Sequence, residues 1–150
     1  MAIPLLNALG LLPEGVHDCE ANEVLGTFCA SPARLAVWHG FEGFLAWVAT
    51  QPGPVSIFMD GSFVTDKASP GDIDVAIDIT GCSVAGQNEW LIAFHREHAS
   101  IKRQFRTDFY PLIKGAGSDF TAFFQYVRVD EALARGAPQG TRKGILRLVQ

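Results

Sequence analysis

Residues 55–79 read VSIFMDGSFVTDKASPGDIDVAIDI, and the reading of this stretch decides the fold. Val55 to Met59 is a short apolar run rich in β-formers, closed by the turn residues Asp60-Gly61-Ser62, so it reads as a strand entering a tight turn. From Ile73 to Ile79 the residues alternate. Ile73, Val75, Ile77 and Ile79 fall on one side of a second strand, with Asp72, Asp74, Ala76 and Asp78 on the other. Asp72 and Asp74 therefore share a face, about 7 Å apart along the strand. Two carboxylates at that spacing repel, and a cation between them removes the cost. Oxygen donors with no Cys or His among them select Mg²⁺ or Mn²⁺ over zinc, and Mg²⁺ usually binds one or two carboxylates together with phosphate oxygens. Gly61 lets a ligand approach the backbone, while the N–H groups after it and the Ser62 hydroxyl can donate to phosphate. The plainer alternative is an acidic edge strand with its charges in water, next to an ordinary turn.

Gly61-Ser62, a ten-residue step to Asp72, and then Asp72-Ile73-Asp74 between strands together resemble the signature of the nucleotidyltransferase superfamily, with its polymerase-β-like fold. The wider wording GSFVTDKASPGDIDV looks like a minimal bacterial branch of that superfamily. The superfamily resemblance covers roughly residues 55–112, and the branch-like wording most of the chain. It implies a third carboxylate on the strand beside the Asp-x-Asp strand, and Asp108 falls at the matching place after an intervening helix. By this resemblance Asp72, Asp74 and Asp108 would be the catalytic metal ligands. Gly61 and Ser62 would position the phosphates of an NTP, and Lys67, Lys114, Arg142 and Lys143 would neutralise charge. Many relatives carry an Arg three residues after the Gly-Ser and a Ser before the first Asp; this chain has Thr65 and Gly71 there. The departure leaves the nucleotide open, with Lys67 a substitute for the missing charge.

A chain of 150 residues is one domain by length, long enough to bury about two thirds of its unfolded surface. Its 48% apolar residues, eleven Phe and three Trp, against 19% charged residues, exclude a disordered chain. A formal net charge of −4 argues against a surface that grips nucleic acid on all sides, but not against a local basic patch. Cys19, Cys29 and Cys82 form no CxxC pair, and an odd count suits reduced thiols in a cytoplasmic protein. The apolar start, MAIPLLNALGLLPEG, has no basic region, contains Pro4 and is too short to span a bilayer, so no signal peptide or membrane helix is expected.

Taken in order, residues 1–15 read as an irregular lead-in that lays Leu5, Leu6, Leu11 and Leu12 on the core. In His17-Asp18-Cys19, adjacent side chains point in different directions, and Asp18 reads as the cap of a helix over 20–28. Ser31-Pro32 starts a long helix to about Thr50 with Leu35, Trp38, Phe41, Leu45 and Val48 on its apolar face; Gly40 and Gly43 weaken it while permitting close packing. A third helix is expected over 87–102, with Trp90, Leu91, Phe94, His98 and Ile101 near one face and His95 and His98 as surface neighbours. Its basic end, Lys102, Arg103 and Arg106, complements a helix C-terminus. Residues 105–112 form the next strand. Ser118, Asp119 and Thr121 start a helix that carries Phe120, Phe123, Phe124 and Val127 as core, with Gln125 and Tyr126 as weaker candidates for base contact. A mobile basic stretch over 135–144 precedes a last strand at 145–149.

The expectation is a single α/β (α+β) domain, a minimal nucleotidyltransferase fold: a small mixed sheet of three to five strands packed by three or four helices. Residues 1–54 form a helical part, 55–113 the catalytic strands and 114–150 a closing helix and strand. The resemblance implies two-metal phosphoryl transfer from an NTP to an acceptor hydroxyl, with pyrophosphate released. The acceptor, whether RNA, protein or small molecule, is open. So little chain remains beyond the core that a homodimer or partner protein is expected to complete the acceptor site. Three competing classes remain: a toxin–antitoxin or defence component of the same type, a degenerate module that binds nucleotide without transfer, and a structural interaction module.

Overall fold

The alternating residues after Asp72 become the centre of a five-stranded sheet in a computed structural model that describes residues 2–115 and 120–149. The strands are β1 (Gly15–Cys19), β2 (Ser56–Asp60), β3 (Ile73–Asp78), β4 (Thr107–Leu112) and β5 (Gly144–Leu148), in the spatial order β1-β5-β2-β3-β4. β2 runs antiparallel to both β3 and β5, while β3 with β4 and β1 with β5 are parallel, so the sheet is mixed. Five helices lie around it among the described residues: α1 (Ala21–Phe28), α2 (Pro32–Val48), α3 (Val84–Phe105), α4 (Phe120–Phe124) and α5 (Val129–Arg135). The expected α/β class holds, with one helix more than expected.

The two faces of the sheet differ. Ile57, Met59, Ile73, Val75, Ile77, Phe109, Leu146 and Leu148 point to one face and pack against α2 and α3, where Val37, Trp38, Phe41, Phe44 and Trp90 complete the main core. At period two the alternate residues must emerge on the other face. There Phe58, Ala76 and Ile145 form a small cluster capped by Phe120 and Phe124 of α4. The acids of β3 and β4 emerge on that same thinly covered side.

Ser31 caps α2 by accepting from the Arg34 N–H at 3.2 Å, with Pro32 at the first helical position. Gly40 and Gly43 are where α2 meets the end of α3: a Cβ at Gly40 would lie 2.6 Å from the Phe105 carbonyl oxygen, and one at Gly43 2.7 Å from the Phe105 ring. The close packing expected of these glycines is present, and it fixes where α3 ends. Arg106, at φ 50°, then turns the chain from α3 into β4 in a single residue.

Several expectations fail. Gly15–Cys19 is an edge strand where none was expected, and Asp18 does not cap α1: its carboxylate accepts from Arg147 at 2.6 and 2.7 Å across the β1–β5 pair, and Glu20 holds the cap position of α1. Leu11 and Leu12 are buried as expected, but Leu5 is 90% exposed. The buried face of α2 takes in Val37 and Phe44, leaving Leu35 and Leu45 at its margin. α3 starts three residues early, capped by Ser83, and runs on to Phe105, which therefore belongs to the helix and not to β4; Leu91 faces outward. The expected helix start at Ser118 and Asp119 lies outside the described residues. No described helix is long and apolar enough to cross a membrane.

Gly40→Ala tests the contact that ends α3. The helix gains about 1 kcal/mol in propensity, but the obstruction is backbone and cannot rotate away, so overpacking of about 1–3 kcal/mol outweighs it. A urea melt is expected to show a lower midpoint; a midpoint at or above the wild type would refute the close contact.

Candidate metal and phosphate site

The strand register builds the site. Asp60 on β2 pairs with Asp74 on β3, and Asp74 with Asp108 on β4, so three carboxylates stand in a row across three neighbouring strands. Asp72, two residues before Asp74, adds a fourth on the same side. Oxygens of Asp72, Asp74 and Asp108 all come within 4.8 Å of one another, a spacing that one hard divalent cation can bridge. Three carboxylates so close, with oxygen donors only, fit Mg²⁺ or Mn²⁺ and not a soft metal.

Each acid is treated differently by its surroundings. Asp60 is held by Lys143, whose Nζ lies 2.8 Å from Oδ1 in an ion pair too poorly angled to count as a hydrogen bond. Asp108 is engaged on both oxygens: His98 Nε2 is 2.6 Å from Oδ1, while Lys102 Nζ and the Tyr110 hydroxyl each lie 3.3 Å from Oδ2. Lys102 also reaches Asp72 Oδ2 at 3.6 Å. Asp74 has no donor among the described residues. Burial, then the neighbouring charges of Asp72, Asp108 and Asp60, push its carboxyl up to about 7, against a weaker pull from Lys143. Hydrogen bonding to Asp108 raises the Lys102 ammonium, and burial followed by the Asp108 charge raises the Tyr110 phenol.

A cleft of about 580 Å³ is lined by Asp74 together with Gly61, Ser62, Lys67, Lys143, Phe123 and Tyr126. Gly61 is required here twice over: its φ is +79°, and a Cβ would fall 1.9 Å from Asp74 Oδ2. Ser62–Val64 follows as a single 3₁₀ turn. Two arginines shape the loop behind it. Arg34, only 8% exposed, donates to the carbonyls of Phe28, Phe63, Thr65 and Lys67 and has no carboxylate partner among the described residues. Arg135 donates to the Asp66 carboxylate, the Thr65 hydroxyl and the Leu9 carbonyl. Thr65 is buried, its hydroxyl donating to the Ser62 carbonyl at 2.7 Å.

Of the residues singled out in the sequence, Asp72, Asp74 and Asp108 converge, and Gly61, Ser62, Lys67 and Lys143 border the same cleft. Lys114 does not join them. It is paired with Asp78 at 3.3 Å, at the opposite end of β3. Arg142 lies behind the cleft wall, stacked over the Tyr126 ring at 4.5 Å and paired with Glu14. The basic stretch over 135–144, expected to be mobile, has its three cations Arg135, Arg142 and Lys143 each tied to an acid. Sequence reasoning passed over Asp60, His98, Lys102 and Tyr110. A signal existed for two of them, since His98 and Lys102 stand four apart on α3 and share a face just before the strand that carries Asp108.

The raised Asp74 carboxyl has a stability signature. Unfolded, the group ionises near 3.8, while folded it keeps its proton until about 7, so between these values the native state binds more protons and loses stability as pH rises. In the presence of EDTA, which keeps the site free of divalent ions, Asp74→Asn is expected to be more stable than wild type at pH 8, on the order of 2 kcal/mol after allowing for solvent screening, with little difference at pH 4. Paired urea melts at the two pH values read the effect, and a pH-independent difference would contradict it.

Searches among curated proteins and among solved structures give no match to this chain. Residues 4–149, nearly its whole length, match DUF6932, a family of unknown function, and the chain belongs to that family.

Proposed function

We propose that the protein is a divalent-cation-dependent nucleotidyltransferase, moving an NMP from an NTP to an acceptor hydroxyl and releasing pyrophosphate. The observation that carries this reading is the convergence of Asp72, Asp74 and Asp108 within 4.8 Å beside a Gly61-Ser62 turn whose glycine no other residue can replace. A carboxylate cluster alone would be compatible with many roles. Next to a tight glycine turn that lines an open cleft with two lysines, it suits a triphosphate.

In this reading Mg²⁺ or Mn²⁺, held by the three acids, would supply charge neutralisation for the phosphates and the departing pyrophosphate. The chain's own residues do the positioning. Gly61 and Ser62 present backbone and hydroxyl donors, and Arg34 and Arg135 keep their loop in shape by holding its carbonyls and Asp66. Lys67 and Lys143 border the cleft as cations for phosphate oxygens. Phe123, 69% exposed, and Tyr126, 54% exposed, line the same cleft and offer aromatic faces to a base. The basic groups near the turn take over the work of the missing arginine, because Thr65 is turned inward.

Melting temperatures with each of the four NTPs, with and without Mg²⁺, test this. Saturation at a hundred times the dissociation constant adds about 2.7 kcal/mol. Stabilisation by at least one NTP that needs Mg²⁺ is expected in the wild type and not in Asp72→Asn, together with pyrophosphate release that falls by about a thousandfold or more in the variant. No shift with any NTP would reject the proposal.

A further inference from the structure

Lys102 belongs to the acid cluster itself. Its ammonium lies between two of the three acids, 3.3 Å from Asp108 Oδ2 and 3.6 Å from Asp72 Oδ2. The other oxygen of Asp108 is taken by His98 at 2.6 Å, and Tyr110 shares the oxygen bound by Lys102. Asp108 thus has a protein partner on each oxygen, while Asp74 has none among the described residues. The partners are not adventitious neighbours. His98 and Lys102 project from one face of α3, and the one-residue link at Arg106 sets that face beside β4.

We propose that Lys102 is a built-in counter-cation that replaces the second divalent ion, so that the protein binds a single divalent cation through Asp72 and Asp74. This rests on the metal-dependent reading above and narrows it. Three carboxylates are balanced by one divalent cation and one ammonium. A second divalent ion would have to displace Lys102 from both Asp72 and Asp108, losing two charge-assisted contacts to gain one ligand, Asp108, whose other oxygen is already held by His98. Asp108 then acts as a positioning residue that holds Lys102 in place rather than as a metal ligand.

Titration of the full-length protein with Mn²⁺ alone, with free Mn²⁺ read by electron paramagnetic resonance, counts the sites without reference to turnover. The wild type is expected to bind one Mn²⁺ and Lys102→Gln two, since removal of the ammonium frees the space and the charge of Asp108. Lys102→Met, which keeps the aliphatic stem, repeats the count should the amide variant not fold. Two ions in the wild type, or one in the variants, would overturn the proposal and leave the metal-dependent reading intact. Absence of Mn²⁺ binding in wild type and variants alike would overturn both.

Discussion

The constraint on which the rest depends is the strand register that sets Asp60, Asp74 and Asp108 side by side. Neighbouring strands are about 4.8 Å apart, so a row of acids across three strands concentrates negative charge more tightly than any run along one strand can. The fold does not relieve this by exposing the row to water, because the α4 aromatics and the loop after β2 close over part of it. It meets the charge with cations brought from distant parts of the chain, Lys143 on Asp60 and Lys102 on Asp108.

The Gly61 turn is held by an equally specific device. Arg34 enters from the first turn of α2 and gathers carbonyls from both ends of the loop over 62–67, and a buried guanidinium without a carboxylate is stable only because each of its three nitrogens finds an oxygen. The lead-in that the sequence left irregular closes the other side: Leu11 bridges to Thr65, and the Asp66 N–H donates to the Gly10 carbonyl. Arg135 then ties the loop to α5. Three separate parts of the chain thus converge on the turn.

What the sequence made legible was local. Period two from residue 72 to 79 sets Asp72 and Asp74 on one face whatever surrounds them, while Asp108 is placed only by the resemblance, which implies a third carboxylate on the neighbouring strand. What stayed hidden was tertiary. β1 is five residues of mixed character whose partner β5 begins at Gly144, so nothing near His17 or Asp18 announces a strand. The cations at the site were misjudged for the same reason: the roles of Lys102, Lys114 and Arg142 depend on which acid each meets after folding, and composition ranks all three alike. Lys102 looked like a helix-end charge and lies at the centre; Lys114 looked like a phosphate ligand and belongs to Asp78.

The distribution of these cations leaves one place uncompensated. Asp60 and Asp108 stand at the two ends of the row, each with its own ammonium, and Asp74 stands between them with three carboxylates around it and no donor among the described residues. A protein selected for stability alone would put a neutral side chain there, because a carboxyl pushed up to about 7 weakens the fold at every higher pH. The cost is concentrated at the residue against which Gly61 packs and over which the cleft opens. A cation bound there from the cleft would recover the stability that the bare site loses. With both flanks already satisfied, cation binding at Asp74 would, on the proposed metal-dependent reading, be the same event as charge relief.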